Sequence, residues 1–129
     1  MSKNLEIGRI GEDIACKYLV KNGYSVIGRN YRKKWGEIDI IASKEGVIHF
    51  VEVKSVSCEN VDIISRETSF HRPEDNAHPE KLRRLARTIE TYLAEKNLME
   101  RDWIFDVVTV HLDQKSKRAK VSIIENVVL

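Results

Sequence analysis

The chain has 129 residues, of which 42% are hydrophobic and 33% charged, a composition typical of a single globular domain spanning residues 1–129. No apolar run approaches the roughly 20 residues of a membrane helix, and residues 1–13 lack the apolar core of a secretory signal. We therefore expect a cytoplasmic protein with no membrane partner. Cys16 and Cys58 lack zinc-ligand spacing, and a formal net charge of +2 is too small to identify a nucleic-acid partner.

The first predicted element is an amphipathic helix over about residues 5–22, in which apolar residues recur every three or four positions until Gly23 ends it. Gly8 and Gly11 weaken a helix, but they allow it to approach a sheet closely. Glu12 lies at the margin of the buried face, where it would reach towards acidic residues of the next elements. The helix dipole also favours an acid in the first turns, so Glu12 alone has two interpretations.

A strand predicted at 24–32 leads into a patch of basic and aromatic side chains. The basic members are Arg29, Arg32, Lys33 and Lys34, and the aromatic members are Tyr31 and Trp35. This mixture suits contacts to phosphates and stacking on unpaired bases. A solvated turn with aromatic rings packed beneath it has the same composition, so the patch by itself leaves both interpretations open. Its position just ahead of the acidic residues at 37–54, which predict a metal site, favours contact with DNA.

The strongest pattern is GEIDIIASKEGVIHFVEVK, which predicts two strands, at 37–42 and 47–56, joined by a turn in which Gly46 takes a positive φ. Both strands are rich in Ile and Val, as central strands covered on both faces are. Strict alternation would put Ile38 and Ile40 on one face of the first strand and its acidic residues on the other. The hairpin thus carries charge in an apolar setting.

These charges predict a chemical site. A buried carboxylate costs several kcal/mol unless it is paired or bound to a metal. Asp39 and Glu52 at one end of the hairpin would supply oxygen ligands to a divalent cation, and Lys54 would stand beside the attacking water. This is the apparatus of a metal-dependent phosphodiester hydrolase. Glu37, on the same side of its strand as Asp39, would support it or pair with the basic patch.

The second half of the chain predicts a long irregular stretch followed by a helix. Residues 57–78 include His71 and His78, which without nearby ligands are more simply loop histidines than a zinc site. A helix is predicted from Pro79 to about residue 96. Its charged face carries Lys81 and Arg84, which would line a DNA groove, although most charged helix faces are simply solvated.

Two more strands are predicted near the C-terminal end of the sequence. The first covers 103–112 and contains Asp106 among apolar residues, where it would pair with a basic side chain or accept a main-chain hydrogen bond. We assign His49, in the hairpin, no chemistry, and expect it to be a satisfied strand histidine. A turn at 115–120 would lead into a last edge strand at 121–128.

Asp39 followed by Glu52-Val53-Lys54 matches the Asp…(Glu/Asp)-x-Lys signature of the restriction-endonuclease-like, or PD-(D/E)xK, nuclease superfamily. More closely, GEIDIIA and FVEVK resemble the YraN-like family of uncharacterised bacterial proteins, which is related to Holliday-junction resolvases. The segments GEDIACKYL, GYSVIGRNYR, HPEKLRRLARTIETYL and FDVVTV extend the resemblance from about residue 7 to about residue 110.

The resemblance implies an α/β fold with a restriction-endonuclease-like core, αβββαβ, whose central mixed sheet is flanked by helices. It also implies a Mg²⁺ or Mn²⁺ site held by Asp39, Glu52 and the main-chain carbonyl of Val53 and completed by Glu12, with Lys54 orienting the water. The implied function is a metal-dependent endonuclease acting on DNA, with branched, junction or single-stranded DNA as candidate substrates. A homodimer would suit paired cuts.

Two rival functions are compatible with the same residues. The fold would serve as a nucleic-acid-binding module without turnover, and its salt-dependent binding would then survive loss of Asp39 or Lys54. Alternatively, the acids and Lys54 would form a structural ion-pair cluster beneath a surface for a protein partner, and Lys54→Ala would destabilise the fold. The full set of Glu12, Asp39, Glu52 and Lys54 favours the enzyme, because a binding module needs fewer of them.

Overall fold

The computed structural model describes residues 3–57 and 79–129, and side chains from residue 6 onward within those ranges. Their elements are α1 (Lys3–Lys21), β1 (Ser25–Lys33), β2 (Gly36–Lys44), β3 (Val47–Ser57), α2 (Pro79–Glu95), β4 (Trp103–Asp113) and β5 (Arg118–Ile124). This order confirms the predicted α/β class, and it is compatible with a restriction-endonuclease-like core. The expectations for Cys58, His71 and His78 lie outside the described residues.

The five strands form one mixed sheet in the order β1-β2-β3-β4-β5. Strands β1, β2 and β3 form an antiparallel meander, and β4 and β5 an antiparallel hairpin. The two units meet where β3 pairs parallel to β4, from Ile48 opposite Trp103 to Ser57 opposite Leu112. This parallel pair makes the sheet mixed, as the resemblance implied.

Among the described residues, one helix covers each face of the sheet. The core under α1 consists of Ile7, Ala15, Leu19, Tyr24, Ile40, Ala42, Val51, Val108, Val110 and Leu112. The core under α2 consists of Ile38, Ile41, Ile48, Phe50, Ile89, Tyr92, Leu93, Phe105 and Val107. Burial on both faces explains why β3 and β4 read as nearly continuous apolar runs.

Two sequence expectations about local structure are wrong. Strict alternation along β2 fails, because Ile38 belongs to the core under α2 whereas Ile40 belongs to the core under α1. The last strand is Arg118–Ile124 rather than 121–128, and residue 118 already pairs with Asp113. The reason is a tight turn, in which Asp113 Oδ1 accepts hydrogen bonds from the main-chain N–H groups of residues 115 and 116.

The turn between β2 and β3 agrees with the prediction at Gly46, whose φ is +80°, but Glu45 also has a positive φ, of 51°. Two consecutive left-handed residues are typical of the tight hairpin turns that match the twist of a sheet. Gly23, with φ of +90°, ends α1 as expected. Among the described residues, no helix is long and apolar enough to cross a membrane.

Gly11 allows α1 to contact β3 directly. A Cβ atom added at Gly11 would lie 1.8 Å from Ser55 Oγ, whereas one added at Gly8 would meet nothing within 4 Å. The expectation of close approach is therefore confirmed at Gly11 and wrong at Gly8. The contact sets the distance between α1 and the sheet at Gly11, and so the position of the neighbouring Glu12.

We expect Gly11→Ala to destabilise the protein by about 1–3 kcal/mol, because the added methyl must push α1 off Ser55. Gly8→Ala, in the same helix, should instead stabilise it by about 0.5–1 kcal/mol through lower backbone entropy of the unfolded chain. Denaturant unfolding of the two variants measures both effects. Equal free energies of unfolding for Gly8→Ala and Gly11→Ala would contradict the close packing.

Candidate active site

Asp39 lies where β2 and β3 stop pairing. The ladder between the two strands ends at the pair formed by Ile40 and Val51. Beyond that pair, Asp39 Oδ2 accepts a hydrogen bond of 2.7 Å from the main-chain N–H of Val53. A carboxylate thus takes the place of a strand partner. This divergence coincides with the break in alternation around Asp39, and it opens the sheet on both faces.

The surroundings of Asp39 disfavour its charge. Burial is the main cause that raises the pKa of Asp39 from 3.8 to about 6. The hydrogen bond from Val53 acts in the opposite direction, and the negative charges of Glu12, Glu37 and Glu52 raise the pKa further. The predicted site residues Glu12 and Glu52 are therefore both close enough to Asp39 to interact with it electrostatically.

Glu12 approaches Asp39 from the α1 side of the sheet. It lines a cleft of about 600 Å³ together with Ile7, Gly8, Arg9, Arg29, Asn30, Arg32, Glu37, Asp39, Val53, Ser55 and Ser57. Glu12 Oε1 lies 3.1 Å from a terminal nitrogen of Arg29, and the same nitrogen lies 2.9 Å from Asp13 Oδ1. The prediction did not include Arg9. Its position one helical turn before Glu12 is a signal from which it could have been found.

Glu52 lies on the other side of the sheet, facing α2. Its Oε1 is 3.1 Å from Lys81 Nζ, and both residues line a cavity that Asp39 also borders. Regular alternation along β3 puts Lys54 on this same face. The pKa of Lys54 is lowered mainly by burial; Glu52 raises it and Lys81 lowers it. Asp39 thus borders both the cleft that Glu12 lines and the cavity that Glu52 lines, whereas Lys54 lines neither.

The basic residues predicted to contact nucleic acid divide into two groups. Arg29 and Arg32 line the cleft on the α1 side, whereas Lys81 and Arg84 line the cavity on the α2 side. Lys33 Nζ lies 2.8 Å from Glu95 Oε2. Arg32 pairs with Glu37, Arg84 pairs with Glu80, and Lys34 is exposed in the turn between β1 and β2.

Both aromatic rings of the patch are packed rather than presented to solvent. Tyr31 packs edge-on against Tyr92 and donates a hydrogen bond to Glu95. The guanidinium of Arg87 lies over the Trp35 ring, 3.9 Å from its centroid. Of the two interpretations left open by the sequence, packed aromatics describe these rings in the structure.

The predicted ligands are the carboxylates of Glu12, Asp39 and Glu52 and a main-chain carbonyl. Oxygen donors of this type are the ones that Mg²⁺ and Mn²⁺ prefer. Within residues 3–57 and 79–129, however, no three His, Cys, Asp or Glu side chains stand together as a metal site. Glu12 and Glu52 point instead at Arg29 and Lys81. Partly exposed ion pairs of this kind contribute only about 0–1 kcal/mol, so a cation can compete for both carboxylates.

Comparison with known proteins identifies the family. The profile of the uncharacterised protein family UPF0102 matches residues 11–110. The chain belongs to this family. UPF0102 relatives include a protein of Alkaliphilus metalliredigens, 42% identical over 117 residues that cover 91% of this chain and 93% of the relative. Another, from Campylobacter hominis, is 34% identical over 127 residues, covering 98% and 97% of the two chains.

A UPF0102 protein of Helicobacter pylori is also similar, at 36% identity over 126 residues that cover 98% of this chain and 94% of the relative. These matches confirm the predicted membership of the YraN-like, or UPF0102, family. The matched range begins in α1 and ends in β4, so it includes every element of the candidate site. The names of these UPF0102 relatives state no activity.

Proposed function

We propose that this UPF0102 protein is a Mg²⁺-dependent deoxyribonuclease that hydrolyses phosphodiester bonds, with Mn²⁺ as an alternative cation. The observation that best supports this function is the position of Asp39, at the divergence of β2 and β3, with Glu12 on one face of the sheet and Glu52 on the other. A half-buried carboxylate surrounded by further carboxylates is stabilised by a cation, because each negative charge raises the cost of the others.

Each residue would have a distinct role. Asp39, Glu52 and the main-chain carbonyl of Val53 would hold the cation, and Glu12 would complete its oxygen ligands. The bound cation would act as a Lewis acid on the phosphate. Lys54 would orient the attacking water and offset the charge that grows on the phosphate oxygens.

The counter-ions of the carboxylates would contribute to substrate binding. A cation that takes Glu12 and Glu52 as ligands would displace Arg29 and Lys81, which pair with them at 3.1 Å. Both basic side chains would then be available to phosphates next to the bond that is cut. Cation binding would therefore raise the affinity for DNA, because it frees the two basic side chains. DNA binding would raise the affinity for the cation in turn, because it draws these side chains away from the carboxylates.

Thermal unfolding during Mg²⁺ titration tests the proposal. A ligand that binds only the folded state raises its stability by mass action, by about 2.7 kcal/mol at a hundredfold excess over the dissociation constant. We expect stabilisation of the wild type and of Glu45→Gln, an exposed acid in the hairpin turn, and none of Asp39→Asn. Labelled single-stranded, branched and duplex DNAs then test cleavage. No Mg²⁺ response and no product from any of these DNAs would contradict the proposal.

Lys54→Met should slow DNA cleavage by about a hundredfold, because the isosteric apolar side chain cannot stabilise developing negative charge. The variant should keep its stabilisation by Mg²⁺, since Lys54 is not expected to be a metal ligand. Single-turnover cleavage together with the thermal titration separates these two effects. A cleavage rate equal to that of the wild type would exclude Lys54 from the chemistry.

A nucleic-acid-binding module without hydrolysis is the second candidate. The observation in its favour is that Arg29 and Lys81 already balance the charges of Glu12 and Glu52. Such a module would bind DNA with an affinity that falls with salt and is unchanged in Asp39→Asn. Cleavage by the wild type, and its loss in Asp39→Asn, would exclude this candidate.

A further inference from the structure

The cavity on the α2 side of Asp39 has two kinds of wall. Its volume is about 310 Å³, within the range of about 300–1,000 Å³ that is typical of small-molecule sites. Its apolar residues on the α2 side, which we call the floor, are Ile38, Leu85 and Phe105. The rim is charged and consists of Glu37, Asp39, Glu52, Lys81 and Arg84. An apolar floor below a rim of carboxylates and cations suits a ligand with a flat apolar part and an attached phosphate.

Trp35 and Gly36 complete the wall of this cavity. Trp35 Nε1 is inaccessible to solvent and has no hydrogen-bond partner among the described residues, although a buried donor without a partner is costly. A Cβ atom at Gly36 would lie 2.3 Å from Thr88 Oγ1, so the wall packs directly against α2. The cavity is therefore bounded by firmly packed structure.

We infer that this cavity holds the base of one unpaired nucleotide next to the bond that is cut, and thus that the proposed nuclease acts on single-stranded or locally unpaired DNA. The inference rests on the proposed function. A nucleobase offers a flat face for the apolar floor and hydrogen-bonding groups at its edge. Lys81 and Arg84 at the rim supply the positive charge that the attached phosphate requires.

Duplex DNA cannot place a base in this cavity without breaking a pair. In a duplex each base is stacked and directed at its partner strand, so it must be extruded before it enters a protein pocket. Unpairing and unstacking cost free energy, and that cost is smallest where the strand is already single. Because Asp39 and Glu52 border the same cavity, a base held there selects DNA that is unpaired at the site of cleavage.

The experiment compares a short thymidine oligonucleotide with an oligonucleotide of the same length that lacks every base, and with a duplex of equal length. Fluorescence anisotropy measures binding in Ca²⁺, an oxygen-bound cation used here in place of Mg²⁺. We expect the wild type to bind the thymidine strand about tenfold more tightly than the abasic strand. Equal affinities for the two strands would overturn the inference, because binding would then depend on the backbone alone.

Two variants with matched controls locate the effect in the cavity. Leu85→Trp fills the apolar floor and should abolish the preference for bases, whereas Val128→Trp, at a site that is 87% exposed, should retain it. Arg84→Gln should weaken binding of the thymidine strand more than Arg83→Gln, which alters an exposed neighbour outside the cavity. An unchanged preference for bases in Leu85→Trp would place the base elsewhere and overturn the inference.

The outcomes separate this inference from the proposed function. A protein that is stabilised by Mg²⁺ and binds abasic, thymidine and duplex DNA equally would contradict the nucleotide pocket and leave the metal site intact. A protein that binds none of these DNAs and does not respond to Mg²⁺ would contradict both.

Discussion

Asp39→Asn should stabilise the protein at neutral pH in the absence of metal, by about 3 kcal/mol. This value corresponds to the rise of the Asp39 pKa from 3.8 to about 6, which burial causes first and neighbouring carboxylates increase. Asparagine removes the buried charge, and its side-chain oxygen can still accept the hydrogen bond from Val53. A residue that destabilises its own fold in this way is expected of a functional site.

The direction of the pH dependence follows from the raised pKa. Between roughly pH 4 and pH 6 the folded protein holds a proton on Asp39 that the unfolded chain has lost, so stability falls as the pH rises through this window. Above about pH 6 the folded wild type carries the full free-energy cost of the ionised Asp39 carboxylate. Below about pH 4 Asp39 is protonated in both states, so the stability advantage of Asp39→Asn disappears. Urea unfolding in EDTA at several pH values measures this difference. Glu45→Gln is the control for the change in net charge. If Asp39→Asn were more stable than the wild type by the same amount at all pH values, the buried carboxylate would not be the cause.

Asp106→Ala should destabilise the protein by about 3–5 kcal/mol, the cost of removing one partner of a buried polar pair. Asp106 is fully buried, and its Oδ2 lies 2.7 Å from Nδ1 of His49. Its Oδ1 accepts a hydrogen bond of 2.9 Å from the main-chain N–H of Asn126. Alanine would leave the His49 ring and the main-chain N–H of Asn126 without the Asp106 carboxylate as a partner, where little water can replace it.

Asp106→Asn is the matched control, because its amide can keep an acceptor for Asn126 and offer a donor to His49. We expect it to lose less stability than Asp106→Ala. Hydrogen exchange gives a second readout, since the amide of Asn126 should exchange faster in the alanine variant. Equal stability of wild type and Asp106→Ala would show that the pair contributes nothing to the fold.

The strand and helix pattern could be predicted because each element has a strong local signal. Apolar spacing defined α1 and α2, and the Ile- and Val-rich runs defined β2, β3 and β4. The role of Asp106 was also accessible, because a lone acid in a buried strand must find a partner. The structure confirms this expectation, with His49 as the basic partner and Asn126 as the main-chain donor.

The geometry of the site was less accessible to sequence reasoning. Strict alternation does not predict the divergence of β2 and β3 at Asp39, where Asp39 borders pockets on both faces of the sheet. The pairing of Glu12 with Arg29 and of Glu52 with Lys81 depends on how the two helices pack. Local patterns do not contain such long-range contacts. The metal and DNA assigned to these residues remain predictions.

The strand order also has a consequence for synthesis of the chain. Strand β3 has β2 on one side and β4 on the other, and Asp113 at the end of β4 follows Ser57 by almost half the chain. At translation rates of about 5–20 residues per second, several seconds separate the two strands. During that interval the nascent chain exposes the open edge of β3, an aggregation hazard. Ribosome-bound chains that end before β4 should therefore depend on chaperones more than complete chains do.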